Sequence, residues 1–161
     1  VRTLKPREVK PLTEWQLAWL AGFIDGEGSI GVYTTKGSSI GGKTNLRLTV
    51  CNTCVPIIDF IYQTTGVGSV DYVAAKSIKW SNTACWRVRG MFELRDLLTK
   101  LLPYLLVKKD QAMLVLECCD GKISKSPLHD DLYYHEKTKV LNHRSEQSKF
   151  MMFGEVAEGD G

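Results

Sequence analysis

The 161-residue sequence lacks several features, and each absence excludes a class of protein. No apolar run reaches the roughly 18 residues that a membrane-spanning helix needs. Val1 to Lys10 is basic and polar, without the apolar core of a secretory signal. Cysteine is scarce and odd in number, five in all, so a fully paired disulfide scaffold is excluded. These absences set the expectation of a reduced intracellular protein, in the cytoplasm, nucleoid or an organelle, with one disulfide still open to a thermophile's chain. Cys51-x-x-Cys54 has no second closely spaced cysteine pair, and His129, His135 and His143 are irregularly spaced, so a four-ligand zinc site is not expected. Strong net charge is also absent, with 21 Lys and Arg against 18 Asp and Glu. Hydrophobic residues make up 43%, enough for one packed domain rather than a disordered chain.

The charge that is present is unevenly placed. Residues 29–90 hold Lys36, Lys43, Arg47, Lys76, Lys79, Arg87 and Arg89 against only Asp59 and Asp71. A local basic excess suits a polyanionic partner. The rest of the chain is balanced, or acidic after residue 143.

Periodicity gives the organisation. Residues 1–12 read as an arm, 13–143 as one domain and 144–161 as a flexible tail. Thr13 and Gln16 have capping-box spacing, so a helix is expected from there to about Gly26. Alternation follows, with Ile30 and Val32 opposed to Gly31, Tyr33 and Thr35, and Leu46, Leu48 and Val50 opposed to Asn45, Arg47 and Thr49. Residues 37–42, rich in Gly and Ser, read as a flexible loop between those two strands. A helix from Val55, strands at 70–73 and 84–89, a leucine-striped helix from Met91 to Leu102 and a further helix from Lys109 complete an α-β-β-α-β-β-α order. A terminal helix is expected in 128–143. The class is α+β, a four-stranded antiparallel sheet with helices on one face and a polar, arginine-bearing face left over.

The first helix is unusual because both of its sides are apolar. Trp15, Ala18, Trp19, Gly22, Phe23 and Gly26 line one stripe, and Leu17, Leu20, Ala21 and Ile24 the other. One stripe can pack on the sheet, and the second needs another cover. Gly22 and Gly26 cost about 1 kcal/mol each in helix propensity and let a second helix approach closely. The stripe then serves either an internal helix crossing or a symmetric dimer, in which Trp19, Gly22, Phe23 and Gly26 are the candidate contacts with a second copy of the chain. The helix ends in Asp25-Gly26-Glu27-Gly28. Carboxylates at a helix C-terminus are locally unfavourable unless a cation joins them. Taken alone, such a tetrapeptide is more often a solvated acidic turn, or one in which Asp25 bonds a nearby backbone group.

Leu20-Ala21-Gly22-Phe23-Ile24-Asp25-Gly26-Glu27-Gly28 closely resembles the nine-residue signature of the LAGLIDADG homing endonucleases, present once, as in the family's homodimeric branch. The resemblance covers roughly residues 13–119. It implies a saddle-shaped sheet and a metal-dependent endonuclease that cuts both strands of a long, roughly palindromic DNA site during intron homing. It implies that Glu27 and the Gly26 carbonyl hold Mg²⁺, or Mn²⁺ or Ca²⁺ in its place, and that Asp25 is structural. The segment from Pro103 to Ala112 resembles the one that brings a lysine to the active site, here Lys108, with Lys109 second. Asn52 is the nearest match to a water-positioning residue at the end of the second strand. Outward residues expected on DNA are Tyr33, Thr35, Lys36, Asn45, Arg47, Thr49, Arg87 and Arg89, with Lys76 and Lys79 on phosphates. Two other readings share the fold, an intron RNA maturase and a DNA-binding regulator without catalysis.

Overall fold

A computed structural model describes residues 7–34 and 44–154, with 144–154 as backbone only. Thr35, Lys36 and the glycine-rich stretch 37–42 lie outside the described residues, as do residues 1–6 and 155–161.

Helix α1 (Glu14–Glu27) begins at the expected capping box, where Thr13 and Gln16 exchange side chain-to-backbone hydrogen bonds. Strands β1 (Gly28–Thr34) and β2 (Thr44–Asn52) pair antiparallel from Gly28↔Val50 to Thr34↔Thr44. Helix α2 (Val55–Thr65) carries Pro56 in its first turn and stops at Gly66, whose φ of +71° ends the helix in the left-handed region. Strands β3 (Ser69–Val73) and β4 (Thr83–Val88) follow, then α3 (Met91–Leu101), α4 (Lys109–Ser124) and α5 (Asp131–Gly154). The sheet order is β1-β2-β4-β3, antiparallel throughout.

The apolar alternation becomes the core. Ile30, Val32, Leu48, Val50, Trp86 and Val88 are fully buried on one sheet face, against Leu20, Ala21 and Ile24 of α1 and Leu94, Leu97, Leu98 and Leu101 of α3. Trp86 lies on this face as the alternation requires, and its indole N–H donates to the Val67 carbonyl at 2.9 Å.

Three expectations change. The cysteines are not all reduced: Cys51 and Cys85 form a disulfide. They are register partners on β2 and β4 with Cα atoms 4.1 Å apart, close to the spacing of a non-hydrogen-bonded antiparallel pair. The arm is partly docked, since Val9 is buried and the Lys10 amide donates to the Thr65 carbonyl at 2.9 Å. The backbone stays helical past residue 143, to Gly154.

Helix α5 has a distinct task. It lies along the free edge of β1, where the Val32 amide donates to Thr138 Oγ1 at 3.0 Å and the Val32 carbonyl meets His135 Nδ1 at 3.1 Å. A strand edge that would otherwise offer unpaired backbone groups is thereby closed. The outward sheet face is uncovered by α1 to α4, which all pack on the other side.

Candidate active site and nucleic-acid interface

The two acids at the end of α1 have different surroundings. The Asp25 carboxylate accepts the backbone N–H groups of Leu106 and Lys108, each at 2.8 Å. It is a tether that binds the turn between α3 and α4 to the end of α1. Lys108 in turn donates its ammonium to the Asp25 carbonyl. A cation at a helix C-terminus complements the macrodipole, and here it stands two residues from Glu27. Glu27 and Gly26 are exposed at the tip. Asn52 closes β2 at the same end of the sheet, because Val50 pairs with Gly28, the residue after Glu27. Its side-chain oxygen accepts the Cys54 N–H at 2.8 Å, an Asx-type turn that starts α2.

Among the described residues, no three His, Cys, Asp or Glu side chains are grouped within reach of one metal ion. One chain offers the Glu27 carboxylate and the carbonyls of a helix C-terminus. These are hard oxygen donors of the kind Mg²⁺ and Ca²⁺ take, so the residues fit such an ion, but they are too few to enclose one.

The face of α1 that holds Trp15, Ala18, Gly22 and Gly26 is exposed, with Trp15 60% accessible. Trp19 and Phe23 are half-buried and stack on each other at 5.4 Å between ring centroids. A Cβ added at Gly22 or Gly26 would meet nothing within 4 Å. The second apolar stripe is therefore open in a single chain, as its pattern required.

The polar sheet face carries Tyr33, Asn45, Arg47, Thr49 and Arg87 together, on three adjacent strands. Arg47 stands over the Tyr33 ring, 4.0 Å from its centroid. Arg87 forms an ion pair with Asp71 of β3, so its charge is shared within the sheet. The Thr49 hydroxyl and Arg47 Nε are buried without a hydrogen-bond partner among the described residues. Arg89 is exposed just past β4, and Lys76 and Lys79 are exposed on the connection from β3 to β4, beside solvent-facing Ile78 and Trp80. Ser29, unremarked in the sequence, shares a 2.7 Å hydrogen bond with the Tyr33 hydroxyl. The signal for it was the alternation that puts residues 29, 31 and 33 on one face.

No protein-family model matches the sequence, and no curated protein does. Solved structures do. The chain is similar to the homing endonuclease I-CvuI bound to a DNA target in the presence of magnesium, with a TM-score of 0.66 and 29% identity over 80% of this chain and 82% of that one. The archaeal intron-encoded homing endonuclease I-Vdi141I complexed with DNA gives a TM-score of 0.61 at 19% identity, over 83% of this chain and 84% of that one. The LAGLIDADG homing endonuclease I-SmaMI bound to cleaved DNA gives 0.59 at 18% identity, over 86% of this chain but 47% of that larger one. The five helices and four-stranded antiparallel sheet thus match the fold of the LAGLIDADG homing endonucleases.

Proposed function

We propose that this chain is a site-specific double-strand DNA endonuclease that works as a homodimer joined along the open face of α1. The observation that carries this reading is the tip of that helix. An uncovered apolar stripe runs into exposed Glu27, with Lys108 tied beside it. Two copies paired along the stripe bring two Glu27 carboxylates to one axis, where each chain's incomplete donor set is completed by the other's. Mutual repulsion between those carboxylates favours a bound cation. Glu27 and the Gly26 carbonyl would hold a divalent ion, Mg²⁺ or in its place Mn²⁺ or Ca²⁺. When bound, such an ion neutralises phosphate charge and lowers the pKa of water.

The chain's own groups do the rest. Lys108 places a positive charge where negative charge develops on the scissile phosphate. Asn52 offers an amide at the same end to orient water. The polar sheet face enters the major groove as a β-ribbon, with side chains on base edges. Lys76 and Lys79 meet phosphates, which fix register. Two-fold symmetry of the protein makes the target roughly palindromic. The similarity to DNA-bound homing endonucleases supports duplex DNA as the partner.

The test is selection of cleaved molecules from a pool of randomised duplexes with Mg²⁺. Wild type is expected to yield one site cut on both strands. Glu27→Gln is expected to bind that site and leave it whole. Binding without scission by the wild type would instead mark a DNA-binding protein, and preference for structured intron RNA would mark a maturase.

A further inference from the structure

The two arginines on the polar face are held in different ways. Arg87 donates through one terminal nitrogen to Asp71. Arg47 lies with its guanidinium carbon 4.0 Å above the centre of the Tyr33 ring. That ring is itself fixed, because the Tyr33 hydroxyl and Ser29 Oγ share a 2.7 Å hydrogen bond along the same strand face. Gly31 sits between them and is the register partner of Arg47. A Cβ at Gly31 would come 3.1 Å from the Tyr33 hydroxyl oxygen and 2.3 Å from Thr138 Cγ2 of α5. The ring therefore folds back over a residue that has no side chain, and the guanidinium rests on the ring.

Stacking occupies the flat face of a guanidinium and leaves the in-plane N–H groups at its rim. Nε is buried without an acceptor among the described residues, so the outer rim is the pair of terminal nitrogens. A planar fork held in one orientation suits the O6 and N7 acceptors of guanine, and holding it before binding reduces the ordering cost on contact. An arginine already committed to a carboxylate, as Arg87 is, has lost part of that capacity.

We infer that Ser29, Gly31 and Tyr33 form a platform that positions Arg47 to read guanine. Tyr33 then acts through Arg47 rather than on a base of its own, and Arg87 ties β3 to β4. This inference rests on the duplex-DNA reading above and names the residue that sets specificity within it.

Two measurements on the full chain test it. In the free protein, the Arg47 δ protons are expected upfield of their usual NMR position through the ring current. The shift should weaken in Tyr33→Phe, which lacks the hydrogen bond to Ser29, and vanish in Tyr33→Leu. With a randomised duplex pool and Ca²⁺, wild type is expected to enrich guanine at one symmetry-related pair of positions. Arg47→Ala and Tyr33→Leu should both lose about tenfold or more of that preference, at the same pair. Tyr33→Phe, which keeps the ring but loses its tie to Ser29, should keep only part of it. The inference is overturned if Tyr33→Leu changes a different base pair, or if it leaves either the Arg47 shift or the guanine preference intact. A wild type that enriches no duplex overturns the DNA reading and the guanine assignment together, and the ring shift then separates that failure from a failure of the platform.

Discussion

Asp25 and Glu27 are two residues apart and have unrelated surroundings. Asp25 accepts two backbone N–H groups from a turn more than 80 positions away in sequence, whereas Glu27 is exposed. Removing the Asp25 carboxylate leaves those donors without a partner at a packed junction. Asp25→Ala is expected to cost about 2–3 kcal/mol in urea unfolding, and to reduce scission by releasing Lys108. Glu27→Gln is expected to leave stability within about 0.5 kcal/mol, as for a surface change, while removing scission. Equal unfolding midpoints for the two variants would contradict the division of labour. The free thiols also differ. Cys54 is exposed, whereas burial pushes the thiols of Cys118 and Cys119 up to about 11 and about 12. The thiolate is the reactive form, so iodoacetamide near neutral pH is expected to label Cys54 alone in the folded protein. Unfolding should expose Cys118 and Cys119, and Cys51 and Cys85 should react only after reduction. Mass spectrometry of the labelled peptides counts each class.

Elements are held to one another by contacts that cross long stretches of sequence. Asp131 at the start of α5 accepts from Thr44 Oγ1 at 2.5 Å and from Lys122 Nζ at 2.8 Å. Burial raises its carboxyl, but those hydrogen bonds and the Lys122 charge outweigh it, and the net shift is downward. A carboxyl lowered by folding supports the folded state above its unfolded pKa and loses that support as pH falls through the folded value. Protection of the Val32 amide against hydrogen exchange is therefore expected to hold above about pH 4 and to weaken below it. In Asp131→Asn, protection should start lower and depend less on pH. The Cys51–Cys85 bond, which joins residues 34 apart in sequence, contributes more to stability than that carboxylate. Chain entropy assigns such a loop about 4 kcal/mol, so reduction or a Cys51→Ser, Cys85→Ser pair should lower the unfolding midpoint accordingly. An unchanged midpoint on reduction would mean that the bond does not constrain the unfolded chain. What was legible in the sequence followed local period. The strand alternation, the Thr13–Gln16 cap and the two stripes of α1 all depend on residues within a few positions. The disulfide, the pairing of Arg87 with Asp71 and the edge closure by His135 and Thr138 depend on strand register and on where α5 docks. Spacing along the chain carries no signal for those.

At the scale of the molecule, the open stripe on α1 decides whether one chain is a complete unit. It is bordered by exposed Trp15 and by the Trp19–Phe23 stack, and it leads to an acid that belongs to no group of three or more His, Cys, Asp or Glu among the described residues. Glycine at positions 22 and 26 is costly within a helix, and among the described residues a Cβ at either would meet nothing within 4 Å. In the proposed dimer, small residues at these positions let a second backbone lie close. Gly22→Leu separates the two levels. Within one chain it replaces a poor helix former by a good one, worth about 0.5–1 kcal/mol in favour of folding, and its Cβ meets nothing within 4 Å among the described residues. Between two chains it fills the notch through which the helices approach. The variant is expected to melt at or above the wild-type temperature by circular dichroism, to sediment as a monomer where wild type is a dimer, and to lose double-strand scission with its fold intact. A Gly22→Leu protein that still dimerises and cuts would place the interface elsewhere and remove the reason for two Glu27 carboxylates to share one axis. A wild type that sediments as a monomer even with duplex present would have the same consequence.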